Sequence, residues 1–455
     1  MSMTDDHGKT ATATLVEQFR RDIGDVPATT DARQLRIKSH DFHWYSPILT
    51  PQLQSCRADI VVQPRSEQEI GTVAAAAPRR RVPVTVRGGG TGNYGQSVPL
   101  KGGIVLDMTR YNNVTAVNPG SIQVQGGALI HSALEAALAT GQQLMMYPST
   151  MKSATIGGYL GGGFAGIGSV RHGIIRDSGM IQSLKIMTLE ENPRSLTLSG
   201  DDVGFVFHAW GTTGIILEAQ LKLVAAERWI DCIATFPAYG DVIAFGNAAF
   251  ASDLDIFLLS AVERRFAPFY KRLNAYFDGS RHAMFSMVKD GDVDRFFALA
   301  GRFNGQRSMA VSDTESAAAN LRRIYETAFN HTTLMALQVE PHWTYLQVVM
   351  PNPFEPGLVE EQMRRFGDEV LMHHEYTREK GRCRIGGLPL IRYTTERRLN
   401  EIMRSFEDDG CVLNNPHIFK LEDGGRFDPE GRKMAFRAQV DPYGLMNPGK
   451  LRSVA

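Results

Sequence analysis

Apolar positions along the first half of the chain switch repeatedly between a helical and a strand rhythm. Thr14 to Ile23 has helical spacing; Thr14 with Glu17 three residues on is a capping-box pattern, and Gly24 is a natural stop. Ala58 to Pro64 (ADIVVQP) is apolar and β-branched and predicts a strand. Ser66, with Glu69 three residues on, predicts the N-cap of a helix running through Ala77. Strands are predicted at Pro83–Val86, Gly103–Asp107, Ser121–Gln125, Met180–Leu189 and Ile215–Val224, and a helix at Leu129–Thr140 ended by Gly141. Strands and helices interleave with no internal repeat, which predicts an α+β domain.

After about Ala226 glycine thins out, and Phe, Met and Arg become frequent. Helices are predicted at Glu315–Phe329 and Val359–Phe366, and strands at Leu334–Met350 and Arg384–Tyr393. A second α+β domain follows from this. From Asp408 to Leu451 the chain is again rich in Gly, Pro and Asn.

Composition narrows the partners. The 455 residues carry 49 basic and 49 acidic side chains, so no dominant nucleic-acid surface is expected. The four cysteines are far apart and form no C-x-x-C, which argues against a zinc knuckle or a disulfide framework. His342-x-x-Tyr345 and His373-His374-Glu375 lack a recognised ligand spacing, so no metal is expected. The N-terminus has no apolar signal region, and the longest uncharged run, Ser153–Val170, is broken by glycines. A cytoplasmic protein is expected, with peripheral membrane contact left open.

The most specific chemistry lies in VTVRGGGTGNYGQ, Val84–Gln96. Glycines there allow backbone N–H groups to converge on an anion such as a pyrophosphate. Gly90, Gly92 and Gly95 spell G-x-G-x-x-G, but a dinucleotide fingerprint must open a helix. Pro99, Gly102 and Gly103 follow instead, then an apolar run, so the loop should join strand to strand. A second match at Gly161, Gly163 and Gly166 also lacks its strand-to-helix context, and no P-loop motif is present.

Several segments taken in order resemble the FAD-dependent oxidoreductases of the vanillyl-alcohol oxidase and p-cresol methylhydroxylase type. They are ADIVVQPRSEQEIGTVAAAA, VRGGGTGNYGQSVPLKGGIVLDMTRYNNV, YPSTMKSATIGGYLGGGFAGIGSVRHG, WGTTGIILEAQLKL and MNPGKL. The resemblance implies a two-lobed α+β FAD-binding domain, an α+β cap with an antiparallel sheet, and a C-terminal tail returning to the FAD domain. The expected divisions are a helical extension at 1–53, the FAD-binding domain at 54–226, the cap at 227–407 and the closing segment at 408–455.

The resemblance also implies the residues that hold FAD. Arg87, Gly88, Gly89, Gly90, Thr91, Gly92, Asn93 and Tyr94 would wrap the pyrophosphate. Pro148, Ser149, Thr150, Ala154, Thr155, Gly157 and Gly158 would line the flavin, with His172 beside them. Gly214, Ile215 and Ile216 would sit near the adenine or ribose, and Asn447 and Lys450 in the closing tail. Many relatives attach FAD through a histidine or cysteine in the two glycine segments; neither segment has one here, so FAD is expected to be non-covalent.

The expected reaction is oxidation of the CH–OH group of a small polar or acidic molecule such as a 2-hydroxy acid, by hydride transfer to FAD. Alternatives are oxidation of a phenolic or sugar alcohol, or a flavin subunit that only relays electrons, docked through Arg79–Arg81. The electron acceptor would be oxygen, a quinone or a redox protein, and a homodimer is compatible. Candidate bases are His373, His374, His417, Glu340 and Tyr345; candidate cations are Arg384, Arg392 and Lys420. The strongest cluster is Asn414-Asn415-Pro416-His417 followed by LEDGG, with Glu422 as its carboxylate. His417, Arg392, Tyr345 and Glu422 are the catalytic candidates. The Glu-His-Gly motif of the D-2-hydroxy-acid dehydrogenases is absent.

Overall fold

The glycine loop is suspended between two parallel strands. Val84–Arg87 pairs in parallel with Ile104–Asp107, from Val84 opposite Ile104 to Arg87 opposite Asp107. Ile60–Val62 pairs in parallel on the other side of Ile104–Asp107, and Ala28–Thr29 closes this sheet antiparallel. The central strand is buried on both faces, which is why it reads as an unbroken apolar run. Our computed structural model describes residues 4–424 and 431–452. Gly425, which ends the LEDGG turn, lies outside them, as do the outermost residues of the N-terminal extension and the C-terminal segment.

Among the described residues the strands form four sheets. The second is antiparallel around the long strand Ile215–Ala225, flanked by Ser121–Gln125 and Ile181–Met187. The third has eight strands, in the order Gln306–Val311, Trp229–Phe236, His282–Lys289, Ile256–Val262, His373–Glu379, Arg382–Gly387, Val348–Val349 and Val412–Leu413. A small sheet joins Trp343–Tyr345, Leu390–Arg392 and Val370–Leu371.

The eight-stranded sheet is covered on both faces. Along Trp229–Phe236, Ile230, Cys232, Ala234 and Phe236 share a core with the Tyr239–Ala251 helix, while Trp229 and Ile233 belong to another core. The same alternation along His373–Glu379 sends His374 and Tyr376 toward that helix. Tyr239 Oη lies 2.9 Å from His374 Nδ1, and the Tyr376 hydroxyl donates to the Ile243 carbonyl at 3.1 Å. Glu375, Thr377 and Glu379 are left on the opposite face.

The C-terminal residues meet the first sheet at the edge strand bearing the loop. Met446 bridges Val84 in parallel, and the Asn447 N–H donates to the Val84 carbonyl at 2.7 Å.

Four predicted elements differ. The first helix begins at Thr4, so Thr14 lies inside it rather than at its cap. The Asp313–Ala318 helix stops where Asn320 takes a left-handed φ of 51°, and only a single 3₁₀ turn, Ile324–Thr327, follows. Residues Asn330–Val339 form a helix, not a strand: a short apolar run carries no decisive period, and Leu, Met, Ala and Gln favour helix. The strand expected at Arg384–Tyr393 is split into Arg382–Gly387 and Leu390–Arg392, with Pro389, which has no N–H to donate, between them.

Candidate active site

The two glycine segments pack backbone to backbone, and this decides several residue identities. A Cβ on Gly88 would overlap the Thr155 hydroxyl, and one on Gly89 would overlap the Ser153 carbonyl. Gly90 has φ +67°, and a Cβ there would strike the Arg87 guanidinium. Thr155 caps the Ile156–Gly162 helix, accepting from the Gly158 N–H at 3.2 Å. Gly157 donates to the Gly126 carbonyl at 2.8 Å, which ties this helix to the second sheet.

Above these segments lies a cavity of about 900 Å³, within the ~300–1,000 Å³ usual for ligand sites. Its floor is Gly88 through Tyr94, Pro148–Thr150, Ala154, Thr155, Gly157, Gly158, Gly214 and Ile216. Gly161 and Gly204 also line it, and a Cβ on either would meet open space. The lining is thus small where a flat ring system would lie against backbone, and backbone N–H groups border it where a pyrophosphate would lie; these residues fit FAD.

Five other cofactor candidates stand outside the lining. Arg87 is buried beneath the loop and donates to the His40 carbonyl at 2.6 Å and the Ser97 hydroxyl at 3.1 Å. Ile215 is fully buried core. Asn447 donates through Nδ2 to the Gln96 carbonyl at 2.8 Å and the Trp210 carbonyl at 2.7 Å. The wholly buried Lys450 donates to the Gly95 carbonyl, and burial brings its pKa down to about 7. Asn447 and Lys450 therefore clamp the end of the glycine loop from behind. His172 ends the Ser169–His172 helix, its ring edge-on to Phe257 at 6.1 Å, and burial brings its pKa to about 4.

The floor also includes Val206–His208, which the sequence did not single out, and Trp210, which opens the WGTTGIILEAQLKL segment. His208 and Trp210 both have φ of 53°, and their N–H groups donate to the Leu160 and Gly161 carbonyls. His208 Nδ1 lies 2.9 Å from the Gly163 carbonyl. Backbone strain of this kind has no one-letter signature.

The roof comes from the eight-stranded sheet and its neighbours. Glu375, Thr377, Glu379 and Arg384 line it, with Phe329–His331, Gln347–Val349, Gly386–Leu388 and Asn414. Arg384, one of the three candidate cations, is mostly buried; its Nε lies 2.9 Å from Glu379 Oε2 and its guanidinium sits over the Phe164 ring at 4.8 Å. Burial, with Arg176 nearby, lowers its pKa.

None of the four catalytic candidates lines the cavity. Tyr345 is fully buried behind Tyr45, ring centroids 6.0 Å apart, and Tyr45 does line it. His417 lies one layer further back, 6.2 Å from the Tyr345 ring, with Nδ1 2.8 Å from the Ser46 hydroxyl. Arg392 is half exposed over Trp343, 3.7 Å from Glu340. Glu422 accepts from the Arg452 N–H at 3.0 Å. Of the Asn414–His417 cluster, Asn414 is the residue that reaches the lining.

Arg79, Arg80 and Arg81 are engaged locally: with the Glu191 carbonyl, with Asp22, and over the Tyr443 ring respectively. Among the described residues, no group of three or more His, Cys, Asp or Glu side chains is arranged to hold a metal ion. No helix among them is long and apolar enough to cross a membrane.

Residues 58–192 match the family model described as an FAD binding domain. A D-lactate dehydrogenase of Anaerostipes hadrus is 27% identical over 40% of this chain and 42% of its own length. Glycolate oxidase subunit GlcD of Bacillus subtilis is 30% identical over 40% of each chain. The chain thus spans about two fifths of the length of these curated relatives. Among solved structures, an alkyldihydroxyacetonephosphate synthase shares the fold, with a TM-score of 0.72 at 15% identity over 95% of this chain and 85% of that one. Residues 58–192 are thus similar to FAD binding domains, and the chain as a whole shares its fold with a solved alkyldihydroxyacetonephosphate synthase.

Proposed function

We propose that this protein is a dehydrogenase or oxidase for the CH–OH group of a small polar or acidic substrate, such as a 2-hydroxy acid, using non-covalent FAD. The observation that carries the reading is one cavity with two unlike walls: a glycine-lined floor and a roof bearing Arg384 and Glu375. The relatives named for lactate and glycolate, both 2-hydroxy acids, support the substrate class. FAD supplies the two-electron acceptor. Backbone N–H groups from Gly88 to Asn93 would hold its pyrophosphate, Ala154 to Gly158 its ring, and Gly214 and Ile216 its adenosine end. Arg384 orients an acidic group of the substrate. In this reading residues 54–226 carry the cofactor, 227–407 cover it, and 408–455 close the loop from behind. Oxygen, a quinone or a redox protein reoxidises the flavin, and a homodimer is compatible with the fold.

The test is anaerobic bleaching of the bound flavin by a panel of lactate, glycolate, glycerol, a hexose and 4-hydroxybenzyl alcohol. Bleaching by one member supports the reading and names the class; no bleaching by any overturns it. Acid precipitation should release the flavin to the supernatant, and colour left in the pellet would overturn the non-covalent assignment.

A further inference from the structure

Beta-strand alternation places Glu375 on the cavity face of His373–Glu379, and burial leaves it only 1% exposed. Its two oxygens are treated very differently. Oε1 accepts from the Phe329 N–H at 2.7 Å and the Ser260 hydroxyl at 3.0 Å, and lies 3.0 Å from His373 Nε2. Oε2 is buried and has no hydrogen-bond partner among the described residues. An unmet buried acceptor is costly, and more so when charged, so such an atom on a residue of the cavity wall marks the place of a missing donor.

The carboxylate is also held rigidly. Phe329, whose N–H meets Oε1, has φ of 52°, a conformation that a non-glycine residue keeps only where its surroundings impose it. That strained residue caps the Asn330–Val339 helix, whose first two residues line the same cavity. Asn330 Oδ1 and His331 Nδ1 are likewise buried without partners among the described residues. Burial brings the His331 pKa to about 4, so its ring is neutral at pH 7 and offers a lone pair. By contrast Glu379, the other lining glutamate, is taken up by Arg384 and Arg176.

We infer that Glu375 is a catalytic base: in a subsite rich in acceptors and suited to an O–H donor, its Oε2 takes the substrate's hydroxyl proton. This rests on the CH–OH reading above. The O–H bond breaks toward Oε2, the C–O bond becomes C=O, and the carbinol hydrogen leaves with its electron pair to bound FAD, so the substrate loses two electrons and the flavin gains them. His373, Ser260 and the Phe329 N–H are positioning groups that aim Oε2 by occupying Oε1.

The experiment uses the FAD-loaded Glu375→Gln variant. FAD content should match wild type, anaerobic bleaching by the panel member that bleaches wild type should slow at least about 10²-fold, and the flavin midpoint potential should move positive as a buried negative charge is lost. An unchanged bleaching rate, or an unchanged potential, would overturn the assignment of Glu375 while leaving the CH–OH reading intact. Wild type unbleached by the whole panel would overturn both. Should the Gln variant shed FAD, Glu375→Asp keeps the carboxylate but draws it back from the cavity. Slowed bleaching with FAD retained supports the proposal, and an unaltered rate overturns it.

Discussion

The floor and the roof of the cavity are built on opposite principles. The floor is local: two contiguous glycine segments whose backbones touch, so that residue identity follows from the absence of Cβ atoms. The roof is assembled from residues far apart in sequence, such as Phe329, Glu375 and Arg384, and its polarity comes from side chains. A floor of this kind serves one guest whatever the substrate, whereas a roof built from separate strands can change its chemistry one residue at a time.

The sharpest way to break this contrast is to add a side chain to each wall. Gly89→Val should cost nearly all FAD occupancy, read from the visible absorbance of the purified protein, because its Cβ must displace the Ser153 carbonyl. Overpacking of this kind costs about 1–3 kcal/mol even before ligand contacts are lost. Gly386→Ala in the roof should keep its FAD, since its nearest neighbour, the Glu375 carbonyl, lies 3.9 Å from the new Cβ. Equal loss of FAD in both variants would erase the distinction.

A second comparison separates two candidate cations, of which the sequence favours Arg392 as catalytic over Arg384. Arg384 lines the cavity, whereas Arg392 sits half exposed beside Glu340. Losing a charge-assisted hydrogen bond costs about 1.5–3 kcal/mol, so Arg384→Met should lower kcat/KM for an acidic substrate by roughly 10- to 100-fold, carried mainly by KM. Arg392→Met should leave both constants unchanged. Glu379 keeps Arg176 as a partner in the first variant, so folding is not at stake.

The clamp behind the floor gives a pH signature. The Lys450 pKa falls from the usual 10.5 to about 7 on folding because the ammonium is desolvated. Between pH 7 and 10.5 the unfolded chain therefore binds more protons than the folded one, and stability rises with pH through that window. The contribution is up to about 1.4 kcal/mol per pH unit. Urea unfolding at pH 7, 8 and 9 should show this slope in wild type, and Lys450→Met should flatten it. A slope unchanged in the variant would assign the titration elsewhere.

The legibility of the two walls follows from the same difference. The strand-to-strand loop could be read from Pro99, Gly102 and Gly103, because backbone constraints are written in single residues. The lining set from Gly88 to Tyr94, with Ala154, Thr155, Gly157 and Gly158, followed from the family resemblance of such segments. Glu375 was legible only as a neighbour of His373 and His374, since its role depends on which face of a strand meets the cavity and on a strained Phe329 far away in the chain. The left-handed φ of His208 and Trp210 was invisible for a related reason: at a non-glycine it is imposed by tertiary contacts. The apolar run Leu334–Val339 was misassigned, because a buried helix and a buried strand look alike over so few residues.

His417 tests the contrast where its effect is smallest. Its cluster had the polar density expected of a site, yet the ring lies behind Tyr345, which lies behind Tyr45. A group two layers from the cavity acts through packing and through its contact with the Ser46 hydroxyl, 2.8 Å from Nδ1. His417→Ala should therefore lower stability by about 1–2 kcal/mol, the range for a lost buried hydrogen bond with some packing. Flavin bleaching in the folded variant should stay within a few-fold of wild type. A slowing of about 10²-fold with stability and FAD content preserved, the size expected for a true acid–base group, would instead extend the reacting wall of the cavity through Tyr45 and Tyr345 to this histidine.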